Sequence, residues 1–415
     1  MPTDILILGA GPAGAATALK LSHLGIATTI VDKATFPRDK ICGDALSGKI
    51  PTLLDRMDPE IMNRFRAKYR PTSVWGIRFT SPQRKVVDLP FRPDYQKDHG
   101  IAPGYVSKRI DFDNFLVEEV RRREDIDLQL ETEITEFERT AEGWTVRARD
   151  GRSWDCKLLI DGMGAHSKFS RHEAGQEVDK SHHAAAIRTY YRGVTGFKDN
   201  FIELHFVKSI SPGYFWIFPL PNGEANVGLG VRSDVVAKRK MNLRKALDEI
   251  VASDEFRDRF KNAELIDPPK GYGLPLGSKE RTLSGDNYLL IGDAGHLIDP
   301  LTGEGIGNGV YSGIIAAELA EKCLAEGRFD ADYLAAYDVR IERVLRKELR
   351  VSYRLQRVIQ HTWIANVLTF LITTNPGAID LLCRMYTDLE LRSKVVTPRF
   401  WWDVIRRQKK SPKPV

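Results

Sequence analysis

Six residues near the start of the chain, Gly9-Ala10-Gly11-Pro12-Ala13-Gly14, have the types and spacing that phosphate binding needs. Gly9 permits a tight turn, Gly11 lets backbone approach a pyrophosphate, and Gly14 lets a helix lie close to a strand. The apolar run Ile5-Leu6-Ile7-Leu8 before them reads as a buried strand. Residues 15–24 have helical spacing and end at Gly25, a residue suited to a left-handed helix end. A second strand over 27–31 finishes at Asp32, placed to accept hydrogen bonds from an adenosine ribose. The helix N-terminus offers free amides and a partial positive charge to a phosphate. The unit is complete for a dinucleotide, and by itself it leaves FAD and NAD equally open.

A second constellation lies nearly 300 residues downstream. A strand over 287–291 leads into Gly292-Asp293-Ala294-Gly295-His296. Asp299-Pro300-Leu301-Thr302-Gly303-Glu304-Gly305-Ile306-Gly307 follows, then a helix over 308–320. An acid after a strand can hold a polyol hydroxyl, and a glycine loop opening a helix aims amides at charge. This string resembles the second FAD fingerprint of the hydroxylase-like flavoprotein superfamily. The resemblance implies Asp293 on the ribityl chain. It sets Pro300, Gly303, Gly305 and Ile306 beside the isoalloxazine, whose N1/O2 edge becomes anionic on reduction.

Two further strings match the same superfamily. Arg109-Ile110-Asp111-Phe112-Asp113-Asn114-Phe115-Leu116 is similar to its R-x-x-F-D-x-x-L helix start. That implies Arg109 on the ribose and phosphates, Lys33 beside Asp32, and a strand at Ile134 passing the adenine. The segment from Leu158 to Arg171 resembles the middle motif, with Gly164, Ser167 and Arg171 in register. Met163 stands where the hydroxylases carry an Asp, which argues against NADPH being handled there as it is in those enzymes. No second strand–GxGxxG–helix unit exists: Gly228-Leu229-Gly230 runs into Val231 and Arg232 with no helix signature. A nicotinamide donor is therefore expected to bind only transiently.

The branch is set by Phe36-Pro37-Arg38-Asp39-Lys40-Ile41-Cys42-Gly43-Asp44-Ala45-Leu46-Ser47. Its P-x-x-K-x-C-G-x-x-x-S pattern resembles the geranylgeranyl reductase family, which saturates prenyl double bonds with reduced FAD. The family's Y-x-W-x-F-P, followed by G-x-G, appears as Tyr214-Phe215-Trp216-Ile217-Phe218-Pro219 and then Gly228 and Gly230. Strand alternation puts Tyr214, Trp216 and Phe218 on one face. They form either a plain buried face or a cavity wall suited to an apolar substrate. The resemblance favours the wall. It implies cofactor contacts from Lys40, Cys42 and Gly43, and catalytic roles for Cys42, Tyr214 and Trp216.

Lys40 either balances charge on a phosphate or reduced flavin or is a surface lysine. Cys42 contacts the isoalloxazine, positions substrate, relays a proton, or is a small buried residue. Without a neighbouring cysteine it has no dithiol chemistry. An isolated alkene is electron-rich, so hydride addition needs an acid that protonates the neighbouring carbon. Tyr214, Cys42 or an ordered water are the candidates. The rivals are a flavin-dependent halogenase or aromatic monooxygenase using O2, and a non-catalytic flavin- or lipid-binding protein. The halogenases carry W-x-W-x-I-P where this chain has Tyr214 and Phe218.

Positioning these residues takes a large frame, and the 415 residues, 42% apolar and 28% charged, supply it and exclude a disordered or disulfide-stapled chain. The expected fold is α/β. A Rossmann-type FAD-binding domain, glutathione-reductase/hydroxylase-like, is assembled from 1–75, 101–175 and 280–335. A β-sheet substrate domain takes 76–100 and 176–279, with strands over 185–191 and 226–231, and a helical region takes 336–415. That last region has a long helix over 338–360, an apolar helix over 362–370, a break at Asn375-Pro376-Gly377 and a final helix over 385–395.

No segment reaches the roughly 20 apolar residues of a membrane span. Met1-Pro2-Thr3-Asp4 has no basic leader, and the four cysteines form no pair or zinc spacing. A reducing cytoplasm and no metal are expected. From Arg340 onward 16 Lys/Arg face 6 Asp/Glu, so this stretch carries +10 and the rest of the chain −4. Its tail over 398–410 mixes Trp401 and Trp402 with Arg and Lys. That is either an interfacial membrane anchor or a helix packed on the body. No nucleic-acid motif accompanies the charge. Expected partners are FAD, NAD(P)H or a ferredoxin as donor, and an apolar, isoprenoid or other long-chain lipid.

Overall fold

Ile5, Leu6, Ile7 and Leu8 are fully buried because the strand Pro2–Leu8 has parallel neighbours on both sides, Ser153–Asp161 and Thr28–Val31. A strand covered on both faces reads as a continuous apolar run rather than an alternating one. The computed structural model describes residues 1–91, 100–361 and 366. Tyr288–Leu290 adds in parallel beyond Ser153–Asp161, and Ile126–Gln129 beyond Thr28–Val31. Trp144–Ala148 and Ile134–Arg139 extend the sheet antiparallel. The carboxyl ends of Pro2–Leu8, Thr28–Val31, Ser153–Asp161 and Tyr288–Leu290 all point to one edge. Ligands of open α/β sheets bind at such an edge.

The helix Pro12–His23 packs against Ile306–Glu326 at glycine range. A Cβ on Gly313 would lie 2.5 Å from Ala13 O and Thr17 Oγ1. The two ends of the chain are thereby fastened side by side.

The second sheet is antiparallel apart from one pair and runs in the order Glu264–Leu265, His183–Arg192, Glu224–Arg232, Tyr214–Pro219, Phe201–His205, Gly76–Thr80, Val86–Pro90. Lys270–Pro275 also pairs with His183–Arg192. One face buries Phe215, Ile217, Val227 and Leu229 against Leu247, Ile250 and Phe256. The other carries Trp216, Phe218, Ile202 and Leu204. Ala45–Leu46, Gly104–Val106 and Thr72–Val74 make a small third sheet between the two.

Several expectations need correction. A helix, Ser233–Arg239, does follow Gly228-Leu229-Gly230. The strand carrying those glycines is antiparallel to both neighbours, so it is still no dinucleotide unit. Its Gly228 exists to make room: a Cβ there would stand 2.4 Å from the Trp216 ring. The helix expected over 338–360 begins at Ala331 and is interrupted by π-helical turns at Glu342–Arg346 before Lys347–Ile359. The helices expected over 362–370 and 385–395, the break between them, the basic Trp tail and Cys383 lie outside the described residues. Among the described residues, no helix is long and apolar enough to cross a membrane.

Candidate active site

Gly9, Asp32, Gly162 and Gly292 each follow one of the four strand ends, and all four line a single cavity of about 590 Å³. Gly9 has φ +93, and a Cβ there would lie 2.5 Å from Gly162 O. Gly11 needs its small size for another reason. The only atom within 4 Å of a Cβ would be Arg38 Nη2 at 3.5 Å, leaving backbone bare to the cavity. Gly14 does not line the cavity. Its Cβ would stand 1.9 Å from Gly9 O, so this glycine sets the helix against the turn rather than touching a ligand. Asp32 holds the turn by accepting from Ala10 N at 2.7 Å and Ala34 N at 2.8 Å.

Lys33, Ile134, Gly164, Pro12 and Ala13 line the same end. Arg109 is only 2% exposed. Its guanidinium grips Asp113 at 2.6 and 2.7 Å and lies within hydrogen-bond reach of the Cys42 thiol. It lines the cavity while anchored to Asp113, and Arg38, on Asp113 Oδ2 at 2.9 Å, is the cation over Gly11. Sequence reasoning passed over Arg38, although it stands two residues before Lys40 in the same string.

At the far end Lys40 Nζ meets Asp293 Oδ2 at 3.0 Å. Burial opposes its charge, but the Asp293 carboxylate outweighs burial and holds Lys40 above the ordinary ammonium range. Lys40 also sits 5.3 Å over the Tyr272 ring. Asp299 shapes the next loop by accepting from Leu301 N and Thr302 N at 2.9 and 2.8 Å. Pro300, Gly303, Gly305 and Ile306 line the cavity there, Gly303 with φ +74. Neither Ile306–Glu326 nor Pro12–His23 has a side-chain cap at its N-terminus. Two helices therefore aim unsatisfied amides into one space, which suits anionic groups at both ends.

Tyr214, Trp216 and Phe218 form a continuous row of mutually tilted rings, with centroids 6.1 and 6.2 Å apart. Gly43 lies against it, since a Cβ there would be 3.1 Å from the Phe218 ring. Three groups outside the sequence expectations fasten this wall. Asn226 accepts from Trp216 Nε1 at 2.8 Å and donates to Cys42 O at 2.7 Å and Asp44 Oδ2 at 2.8 Å. Tyr190 donates its hydroxyl to Asp44 at 2.8 Å. Asp44 is fully buried, and burial pushes its carboxyl up to about 6. Asp44 follows Cys42-Gly43 directly and was within reach of sequence reading. Asn226 and Tyr190 are not, because they matter only through strand register. Tyr214 donates its hydroxyl to Thr302 O at 2.6 Å, tying the wall to the glycine loop.

The arrangement fits FAD. Glycine cradles that a Cβ would fill, two uncapped helix ends and a lysine–carboxylate pair lie along one cavity that ends at an aromatic face. The FAD binding domain family model matches residues 2–350. The chain belongs to this family. It is an FAD-dependent oxidoreductase, and it is similar to reductases that act on isoprenoid compounds. A menaquinone reductase of Mycolicibacterium smegmatis is 28% identical over 403 residues, covering 95% of this chain and 92% of that protein. One from Mycobacterium tuberculosis is 30% identical, covering 77% and 76%. A digeranylgeranylglycerophospholipid reductase of Methanococcus vannielii is 26% identical, covering 86% of each chain.

A geranylgeranyl bacteriochlorophyll reductase-like protein of Thermoplasma acidophilum shares the fold of this flavoprotein, with TM-score 0.77, 20% identity and 98% coverage of both chains. A flavin-dependent brominase shares it too, at TM-score 0.76, 20% identity and 99% coverage of both. Fold alone therefore does not separate reductase from halogenase. Among the described residues no cluster of His, Cys, Asp or Glu could hold a metal ion.

Proposed function

We propose that the protein reduces C=C bonds of a prenyl or other long-chain lipid, with electrons from NAD(P)H or a ferredoxin. The single observation that carries this is the wall: Tyr214, Trp216, Phe218, Ile202 and Leu204 line the same cavity as the glycine turns, so an apolar chain lies against the cofactor site. The names of the relatives support the substrate class. FAD, once reduced there, supplies the hydride. Gly9, Gly11 and Arg38 would hold its phosphates, and Lys40 and Asp293 its ribityl region. The rings would hold the lipid flat and exclude water. Cys42, on the turn that Asn226 fastens to Trp216, would position the substrate from the opposite side.

Tyr214 and Trp216 take part as wall, and the Tyr214 hydroxyl is occupied by Thr302 O. Peripheral attachment to anionic membrane through the basic, Trp-containing tail would bring the enzyme to its substrate. Equal recovery of full-length and 398-truncated protein from liposome flotation would exclude that.

The test of the main reading is anaerobic. The reduced yellow protein is mixed with prenyl lipids while flavin absorbance and product mass are followed. Reoxidation with a gain of two hydrogens per double bond is expected. Reoxidation only on admitting O2, with oxygen or halogen in the product, would establish the monooxygenase or halogenase instead.

A further inference from the structure

Alkene reduction needs a proton as well as a hydride, and the residues expected to give it are engaged elsewhere. The Tyr214 hydroxyl donates to a backbone carbonyl. The Cys42 sulfur lies beside the Arg109 guanidinium, which cannot give up a proton to resupply it. Asp44 is fully buried with both oxygens accepting, from Arg109 N at 3.3 Å on one side and from Tyr190 and Asn226 on the other.

Glu304 differs from all three. It lies inside the glycine loop between Gly303 and Gly305 and lines the cavity. Its Oε1 accepts from Ser47 Oγ, on the turn that carries Cys42. Its Oε2 accepts no hydrogen bond among the described residues, and it is not a fully buried atom.

The groups packed around Glu304 determine its charge state. Asp299 Oδ1 accepts from Leu301 N, Thr302 N and Thr302 Oγ1, three donors on one carboxylate oxygen. Glu348, on Lys347–Ile359, takes the Lys49 ammonium at 2.9 Å, and Lys49 also donates to Asn308 Oδ1 at 2.8 Å. Three carboxyls thus surround one ammonium, and among the described residues the one hydrogen bond to the Glu304 carboxyl comes from a neutral hydroxyl. Burial, with the Glu348 and Asp299 charges adding to it, raises the Glu304 carboxyl above its usual range despite Lys49 and Ser47. Carboxylates crowded in this way share a proton, and it resides on the one with the fewest donors.

We propose that Glu304 is the general acid: it gives its proton to the alkene and takes another back before the next turnover. The inference rests on the alkene-reductase reading above. The alkene takes a hydride from the reduced cofactor at one carbon and the Glu304 proton at the other. The C=C π bond, the Glu304 O–H bond and the N–H bond of the reduced cofactor that delivers the hydride break, and two C–H bonds form. The substrate gains two electrons, the cofactor loses them, and Glu304 is left a carboxylate.

Two measurements on FAD-loaded protein test this. Infrared difference spectra between wild type and Glu304→Gln at neutral pH should show the C=O stretch of a neutral carboxylic acid, lost in the variant. Absence of that band overturns the proposal whatever the substrate proves to be. Lipid-driven reoxidation should fall about 10²- to 10⁴-fold in Glu304→Gln. KM and donor-driven reduction should hold, Glu304→Asp should recover part of the rate, and the alkaline limb of the pH profile should disappear. A variant within about threefold of wild type, with that limb intact, also overturns it, since general acid catalysis is worth far more than that. If wild type shows the band but no lipid reoxidises it, the alkene-reductase reading fails instead.

Discussion

The two sheets meet at one cavity and build their sides of it by opposite means. The parallel sheet contributes backbone: four strand ends, glycines too crowded or too twisted for a side chain, and two helix ends with free amides. The antiparallel sheet contributes side chains taken alternately from one face, Tyr214, Trp216 and Phe218 beside Ile202 and Leu204. A backbone site tolerates no added atom and recognises charge and shape common to many cofactors. A side-chain site tolerates redesign and selects the substrate. Cofactor loss and substrate loss should therefore be separable by mutation.

The largest effect expected is on the backbone side. Gly14→Ala puts a Cβ 1.9 Å from Gly9 O, a clash that only movement of helix or turn relieves. Overpacking of this kind costs about 3 kcal/mol or more. The purified variant should be colourless, with a denaturation midpoint well below wild type. A yellow variant of native stability would mean that the helix and turn are not rigidly coupled. On the side-chain side, Gly228→Ala puts a Cβ 2.4 Å from both the Trp216 ring and Ile187 O of the paired strand, so the ring and the local strand pairing must shift. We expect a smaller cost, about 1–3 kcal/mol. FAD should be retained at unit occupancy, with lipid-driven reoxidation markedly slowed. Loss of FAD from Gly228→Ala would break the comparison.

The same contrast explains what could be read from the chain alone. Backbone sites need particular residue types at fixed intervals, so the strand–turn–helix at 5–24 and the loop at 299–307 are visible as spacing. Gly14 was legible as a packing glycine, and only the geometry removes it from the ligand's surface. The aromatic alternation was legible because its period is two. What holds it was not: Asn226 reaches Trp216, Cys42 and Asp44 because Glu224–Arg232 pairs with Tyr214–Pro219 in one register. Nothing local in the sequence specifies that pairing. Arg109 lines the cavity as its motif implies, but its pairing with Asp113, one helical turn on, follows from burial of a guanidinium and not from the motif. The π-helical interruption at Glu342–Arg346 leaves no mark in apolar periodicity.

Asp44 gives the intermediate effect and a pH dependence. Its folded carboxyl is raised to about 6 from 3.8, so the native state binds this proton more tightly than the unfolded chain. The linked stability is full below about pH 4 and is lost as pH rises through about 6, by at most about 3 kcal/mol. Asp44→Asn, shaped like the protonated acid, should flatten that slope between about pH 4 and 7 in urea titrations. An unchanged slope would show that another group titrates there.

The smallest effect falls on the one contact that joins the two building plans. Tyr214→Phe deletes the hydrogen bond from the wall to Thr302 O and nothing else of its ring packing. Thr302 is exposed, so water can replace the lost donor, and the cost to folding should stay near about 0.5–1.5 kcal/mol. The catalytic cost depends on whether wall and glycine loop must be held in register. If they must, the Tyr214→Phe variant keeps its FAD occupancy but slows lipid-driven reoxidation severalfold, while reduction by the donor, which needs no wall, proceeds at the wild-type rate. If both half-reactions slow together, the hydroxyl acts on the cofactor side, and the separation of backbone and side-chain roles is less complete than the two sheets suggest.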